Sequence, residues 1–88
     1  MGRGLQWDGD AWEDYCGWQK DRATLKRINA LIQDARRNPF DGIGKPEPLK
    51  HDLAGLWSRR INDKDRLTYK VVDDVIVILS KTPQKGRP

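Results

Sequence analysis

The sequence predicts an α+β domain, with two helices near the N-terminus packed on an antiparallel sheet. Three observations carry this. Apolar residues recur at helical spacing between Trp12 and Ala35. Three strand-like runs follow Gly55, and a segment rich in Gly and Pro separates the two regions. At 88 residues the chain has room for one domain, 1–88, with a polar tail over 84–88. Its core must be economical, because only 36% of its residues are hydrophobic and 34% are charged.

Residues 3–7 are short enough for an edge strand, and Asp8 offers a side-chain oxygen to the free amides of a helix beginning near Gly9. That helix is expected to run to about Gln19, with Trp12, Tyr15 and Cys16 forming one apolar stripe. Core packing explains the stripe better than an aromatic binding box. Asp21 is positioned to cap a second helix in which Leu25, Ile28, Leu31, Ile32 and Ala35 keep helical spacing. Pro39 stops it by pushing Asn38 out of helical geometry. The two helices read as an antiparallel hairpin. The basic residues left on its surface are ordinarily a solvated face, and they are also suited to phosphates or a partner's acids.

The segment 40–48 contains two Gly and two Pro and is expected to be a loop. Glu47 lies between Pro46 and Pro48, which restrict the backbone around its carboxylate. Locally it reads as an ordinary exposed acid. Strand-like runs then cover 56–61, 66–72 and 75–79 and suggest a meander. The last run is apolar throughout, which places it inside the sheet.

Side chains alternate along a strand, so Trp57, Arg59 and Ile61 oppose Leu56, Ser58 and Arg60. Pairing the apolar set with Leu67 and Tyr69 requires a connection of three or five residues, and Arg60 and Arg66 then emerge together. Leu56 and Arg59 break clean patterning in either register. With Glu47 and Lys50 entering from the preceding loop, several cations would border one carboxylate. A carboxylate can take the proton from a ribose 2′-hydroxyl, and guanidinium groups can stabilise charge on phosphate oxygens during attack. Surface charges that merely balance Asp63, Asp65 and Glu47 would give the same pattern.

The formal charge of +4 and an isoelectric point near 9.5 favour a polyanionic partner, nucleic acid first and an acidic protein segment second. The lone Cys16 forms no internal disulfide, and the N-terminus lacks the apolar run of a secretory signal, so a reducing, cytoplasmic setting is expected. No stretch has the roughly 20 apolar residues of a membrane span. His51 and Cys16 are far apart in sequence, and neither a metal site nor a cofactor is expected.

The stretch 37–40, then 42–51 and 53–61, followed by Asp65, Arg66, Leu67 and Tyr69, resembles the YoeB-type toxins of bacterial toxin-antitoxin pairs. The likeness also takes in Trp7, Trp12, Tyr15 and Trp18 and reaches about Leu79. It implies a microbial-ribonuclease or RelE-like fold, a twisted antiparallel sheet of four to five strands beneath two helices. It further implies cleavage of messenger RNA in the ribosomal A site and inhibition by a cognate antitoxin. The ribosome, the message and the antitoxin are the implied partners, and a homodimer is left open.

By position, Glu47 resembles the family's general base and Arg66 the residue that stabilises the phosphate. Lys50, Arg60, Arg59 and His51 are the candidate RNA- or phosphate-binding residues; His51 matches a family position without a catalytic role. YoeB-type proteins end in a His-Tyr pair, whose His is the general acid. Here the corresponding stretch, 80–85, carries neither residue, and loss of such an acid costs about 10²- to 10⁴-fold in rate. Lys81 and Lys85 are the cations nearest that position. Two functions stand open: a ribosome-dependent endoribonuclease, active or attenuated at its leaving group, and a non-catalytic homologue that binds antitoxin and/or ribosome.

Overall fold

The computed structural model describes residues 2–79, so the expected polar tail lies outside the described residues. Two helices pack on a five-stranded sheet of order β1-β5-β4-β3-β2: β1 is Gly4–Trp7, β2 Glu47–Pro48, β3 Leu56–Arg60, β4 Arg66–Val72 and β5 Val75–Ile78. The expected α+β arrangement is present, but the sheet is mixed. β2, β3, β4 and β5 pair antiparallel in sequence, whereas β1 runs parallel to β5, with Leu5 opposite Ile76 and Trp7 opposite Ile78. Parallel neighbours require a crossover, and here the helices and the meander intervene between the two strands. Nothing in a short alternating segment encodes that direction.

Helix α1 spans Ala11–Gly17 and gives way to a 3₁₀ turn at Trp18–Lys20, so it is shorter than its periodicity suggests. Gly17, a poor helix former, sits where the geometry changes. Asp8 does not cap with its side chain; its backbone carbonyl accepts the Ala11 N–H at 3.0 Å. Trp12 is 52% exposed and meets Trp7 edge-on at 5.2 Å between ring centroids, so it flanks the core. Helix α2, Arg22–Arg37, follows its pattern closely. Asp21 accepts the Thr24 N–H at 3.1 Å, and Ile28, Leu31, Ile32 and Ala35 are buried.

Cross-strand partners share a face, so the register sorts the sheet into two surfaces. Leu67, Tyr69, Ile76 and Ile78 face the helices and form the core with the buried residues of α2. The other surface carries Glu47, Ser58, Arg60, Arg66, Thr68 and Lys70. This division depends on the connection 61–65, which closes the β3–β4 hairpin with Arg60 directly opposite Arg66. Asn62 Oδ1 fixes the turn by accepting the backbone N–H groups of Lys64 and Asp65, both at 2.8 Å.

Candidate functional site

The segment expected to be wholly loop contains strand β2, so the loop reading is corrected at its end. Glu47 pairs with Ser58 and Pro48 with Trp57, and the ladder is extended by Leu49 N–H donating to the Leu56 carbonyl at 2.9 Å. Pro48 is tolerated because β2 is an edge strand, where a missing N–H need not break a ladder on both sides. The segment is bracketed by two residues in the left-handed region, Lys45 (φ 51°) and His51 (φ 60°). Such backbone is costly for side-chain-bearing residues and is held only when its surroundings determine it.

The neighbouring segment 38–43 is held by Arg59, and this overturns the assignment of Arg59 as an RNA or phosphate contact. Arg59 is 0% exposed and lies on the core side of β3. All five of its N–H donors are engaged. Nε donates to Tyr69 Oη at 3.0 Å; Nη1 to Asp34 Oδ2 at 2.7 Å and to the Ile43 carbonyl at 3.1 Å; Nη2 to the Asn38 carbonyl at 2.7 Å and the Asp41 carbonyl at 3.1 Å. The residue is an internal bolt that ties the segment 38–43 to the sheet. A planar guanidinium suits this task because its donors project in a fixed fork. Tyr69 completes the bolt by donating to the Pro39 carbonyl at 2.6 Å, and burial raises the pKa of its phenol. The Arg59 hydrogen bond holds the Asp34 carboxyl below the usual carboxylate range, assisted by the Ile43 N–H.

Gly42 belongs to the same construction. At φ +126°, a Cβ would collide with the Asp34 carboxylate that Arg59 grips. The break in the apolar pattern at Arg59 was therefore the visible signal, but its meaning was structural. Asp34, its counterion on α2, carries no signal of this role in the local sequence.

The other surface assembles three of the expected site residues. Arg60 and Arg66 face each other across β3 and β4, and Arg66 Nη1 lies 3.5 Å from Glu47 Oε1. The side chains of Arg66 and Glu47 are 46% and 59% exposed, so their attraction is weakened by solvent and a competing anion can displace it. Like charges directly opposed on neighbouring strands are unfavourable. Among the described residues Arg60 has no carboxylate within ion-pair distance, and its backbone is instead fixed by N–H donation to the Gly44 carbonyl at 2.7 Å. Two cations beside one carboxylate thus form a surface able to hold an anion next to a proton acceptor.

Lys50 and His51 are exposed and lie past the last β2–β3 pair, at the outer edge of the sheet. They border this surface without joining the Glu47–Arg66 contact. The stretch 80–85, where the general acid was sought, lies outside the described residues. Ser58 and Thr68 are not among the expected site residues, although strand alternation sets Ser58 on the face of Arg60. Both are buried in the row that begins with Glu47.

Residues 7–83 match the family model of YoeB-like toxins of the bacterial type II toxin-antitoxin system. Toxin YoeB of Escherichia coli K12 is 55% identical over 75 residues, covering 84% of this chain and 89% of the relative. Toxin YoeB of Streptomyces coelicolor is 61% identical over 69 residues, covering 77% and 82%. Among solved structures, the YoeB dimer from Staphylococcus aureus superposes with a TM-score of 0.85 at 40% identity, covering 97% of this chain and 100% of that one. The likeness extends through the helices, the mixed sheet and the Gly- and Pro-rich segment, and the chain belongs to the YoeB-like toxins of bacterial type II toxin-antitoxin systems.

Proposed function

We propose that this toxin is a ribosome-dependent endoribonuclease that cleaves messenger RNA in the A site. The single observation that carries the reading is the meeting of Glu47 and Arg66 over β3, with Arg60 alongside. Glu47 takes the proton from a ribose 2′-hydroxyl. The 2′-oxygen attacks the adjacent phosphorus, the bond to the 5′-oxygen breaks, and a 2′,3′-cyclic phosphate is left on the upstream fragment. Arg66 and Arg60 stabilise the negative charge on the phosphate oxygens as five bonds form at phosphorus. Lys50 and His51, at the sheet edge, contact the flanking RNA. Because 80–85 holds no His-Tyr pair, the leaving 5′-oxygen takes its proton from water, which attenuates the rate.

The partner that restrains the toxin is a cognate antitoxin. A Staphylococcus aureus YoeB has been solved with YefM, and a protein of that kind is the expected inhibitor here. A homodimer is the second expected assembly, as in the YoeB dimer from the same organism. The stretch 80–85, which holds neither His nor Tyr, favours one other reading, a homologue that binds ribosome or antitoxin without cutting. Primer extension on translated messages separates the two. New cleavage sites with the unaltered protein, lost in Glu47→Ala and Arg66→Ala, support the nuclease; ribosome binding without new sites supports the binding module.

A further inference from the structure

We propose that Ser58 contacts the substrate, its hydroxyl donating to a non-bridging oxygen of the scissile phosphate. This rests on the endoribonuclease reading and deepens it. Ser58 is 2% exposed, and its Oγ has no hydrogen-bond partner among the described residues. A buried hydroxyl without a partner forfeits its hydration and gains nothing in return, so stability does not explain its presence. Strand positions of this kind favour Val, Ile or Thr over Ser. The contrast with the opposite surface is sharp, because there Tyr69 Oη both accepts from Arg59 and donates to Pro39.

The position of the hydroxyl indicates its ligand. Ser58 is the direct cross-strand partner of Glu47 on one side and of Thr68 on the other. Arg60, two residues along β3, points to the same surface and faces Arg66. Because Glu47 and Arg66 stand on β2 and β4, their 3.5 Å contact has to cross β3 along the stretch containing Ser58 and Arg60. Ser58 is therefore part of the floor beneath that contact. A phosphate that draws Arg66 to itself separates the two side chains that cross β3 and reaches the floor. Phosphate oxygens only accept, and an O–H that lacks an acceptor is the complementary group.

The test uses Ser58→Ala in single-turnover cleavage of a message on ribosomes, with sulfur replacing each non-bridging oxygen of the scissile phosphate in turn. Sulfur accepts hydrogen bonds poorly, so one isomer should slow the unaltered protein. Ser58→Ala is expected to cut the all-oxygen message about 10- to 100-fold more slowly. It should also lose the discrimination against that one isomer and keep its response to the other. Its melting temperature should be equal or higher, since the substitution removes an unsatisfied polar group. Ser58→Cys, which keeps a weak donor, should recover part of the rate.

Cleavage by Ser58→Ala at the unaltered rate, or with the isomer discrimination intact, overturns the proposal. So does a lower melting temperature with equal loss on both isomers, which marks a structural role. Binding of a message carrying a 2′-deoxy substitution at the cleavage site separates this failure from that of the parent reading. If the unaltered protein does not cut, whether or not it binds that message, the nuclease reading falls and this inference with it.

Discussion

Glu47 and Arg66 stand on strands that do not pair with each other, yet their side chains meet at 3.5 Å across the intervening strand. Neighbouring strands are about 4.8 Å apart, so the two backbones are separated by roughly 10 Å and both side chains must lean inward over β3. The contact is exposed and easily exchanged for another anion. If Glu47 is the base and Arg66 the phosphate clamp, Glu47→Gln should lower single-turnover cleavage about 10²- to 10⁴-fold. Arg66→Ala should lower it about 10²- to 10³-fold. Melting temperatures should change little, because the pair is solvent-exposed. Rate measurements beside thermal melts check this, and unchanged cleavage in both variants would sink the assignment.

Arg60 and Lys50 are expected to contribute charge to RNA binding. Each phosphate contact removed from a single-stranded complex should reduce the slope of log affinity against log salt by about 0.7. Arg60→Ala and Lys50→Ala should each give that reduction when binding to an uncleavable message is titrated between low and moderate salt. An unchanged slope in either variant removes that residue from the RNA contact set.

Arg59 should behave oppositely. Arg59→Met leaves the Asp34 carboxylate and the Asn38, Asp41 and Ile43 carbonyls without their buried donors. Breaking one side of a buried pair costs about 3–5 kcal/mol, so urea denaturation should show a large loss. Arg59→Lys should recover little, since an ammonium cannot reproduce the fork. At a temperature where the variant is folded, its salt slope for RNA should match the unaltered protein, because the guanidinium is inside.

Asp34 sets an acid limit on stability. Its pKa is lowered in the folded protein, chiefly by the Arg59 hydrogen bond. A lowered folded value contributes stability that is fully present above the unfolded pKa, about 3.9, and is lost as pH falls through the folded value. Asp34→Asn should be less stable than the unaltered protein at pH 7 by about 1–3 kcal/mol. The gap should narrow below about pH 4, where the unaltered protein gives up this contribution. Urea midpoints at neutral and acid pH test both the size and the sign.

Much of the scaffold was legible in the sequence because periodicity reports which face of an element is buried. The spacing of Ile28, Leu31, Ile32 and Ala35 predicted the buried side of α2, and Asp21 marked its start. The alternation around Ser58 and Arg60 predicted the surface on which Arg60 and Arg66 emerge together. Trp12 keeps helical spacing yet stays exposed, because an aromatic at that spacing can flank a core as easily as enter it. β2 is not legible in the sequence because its two residues include a proline, leaving no pattern to read.

By itself the sequence determined the element types, the buried faces, the basic character of the chain and its likeness to the YoeB-like toxins. Each of these follows from residue type and local spacing. Tertiary structure alone decided that β1 runs parallel to β5, that Arg59 is an internal bolt gripping Asp34, and that Glu47 reaches Arg66 over Ser58. These depend on which distant segments become neighbours, and a charged side chain reads the same in sequence whether it faces water or a carboxylate on a distant helix.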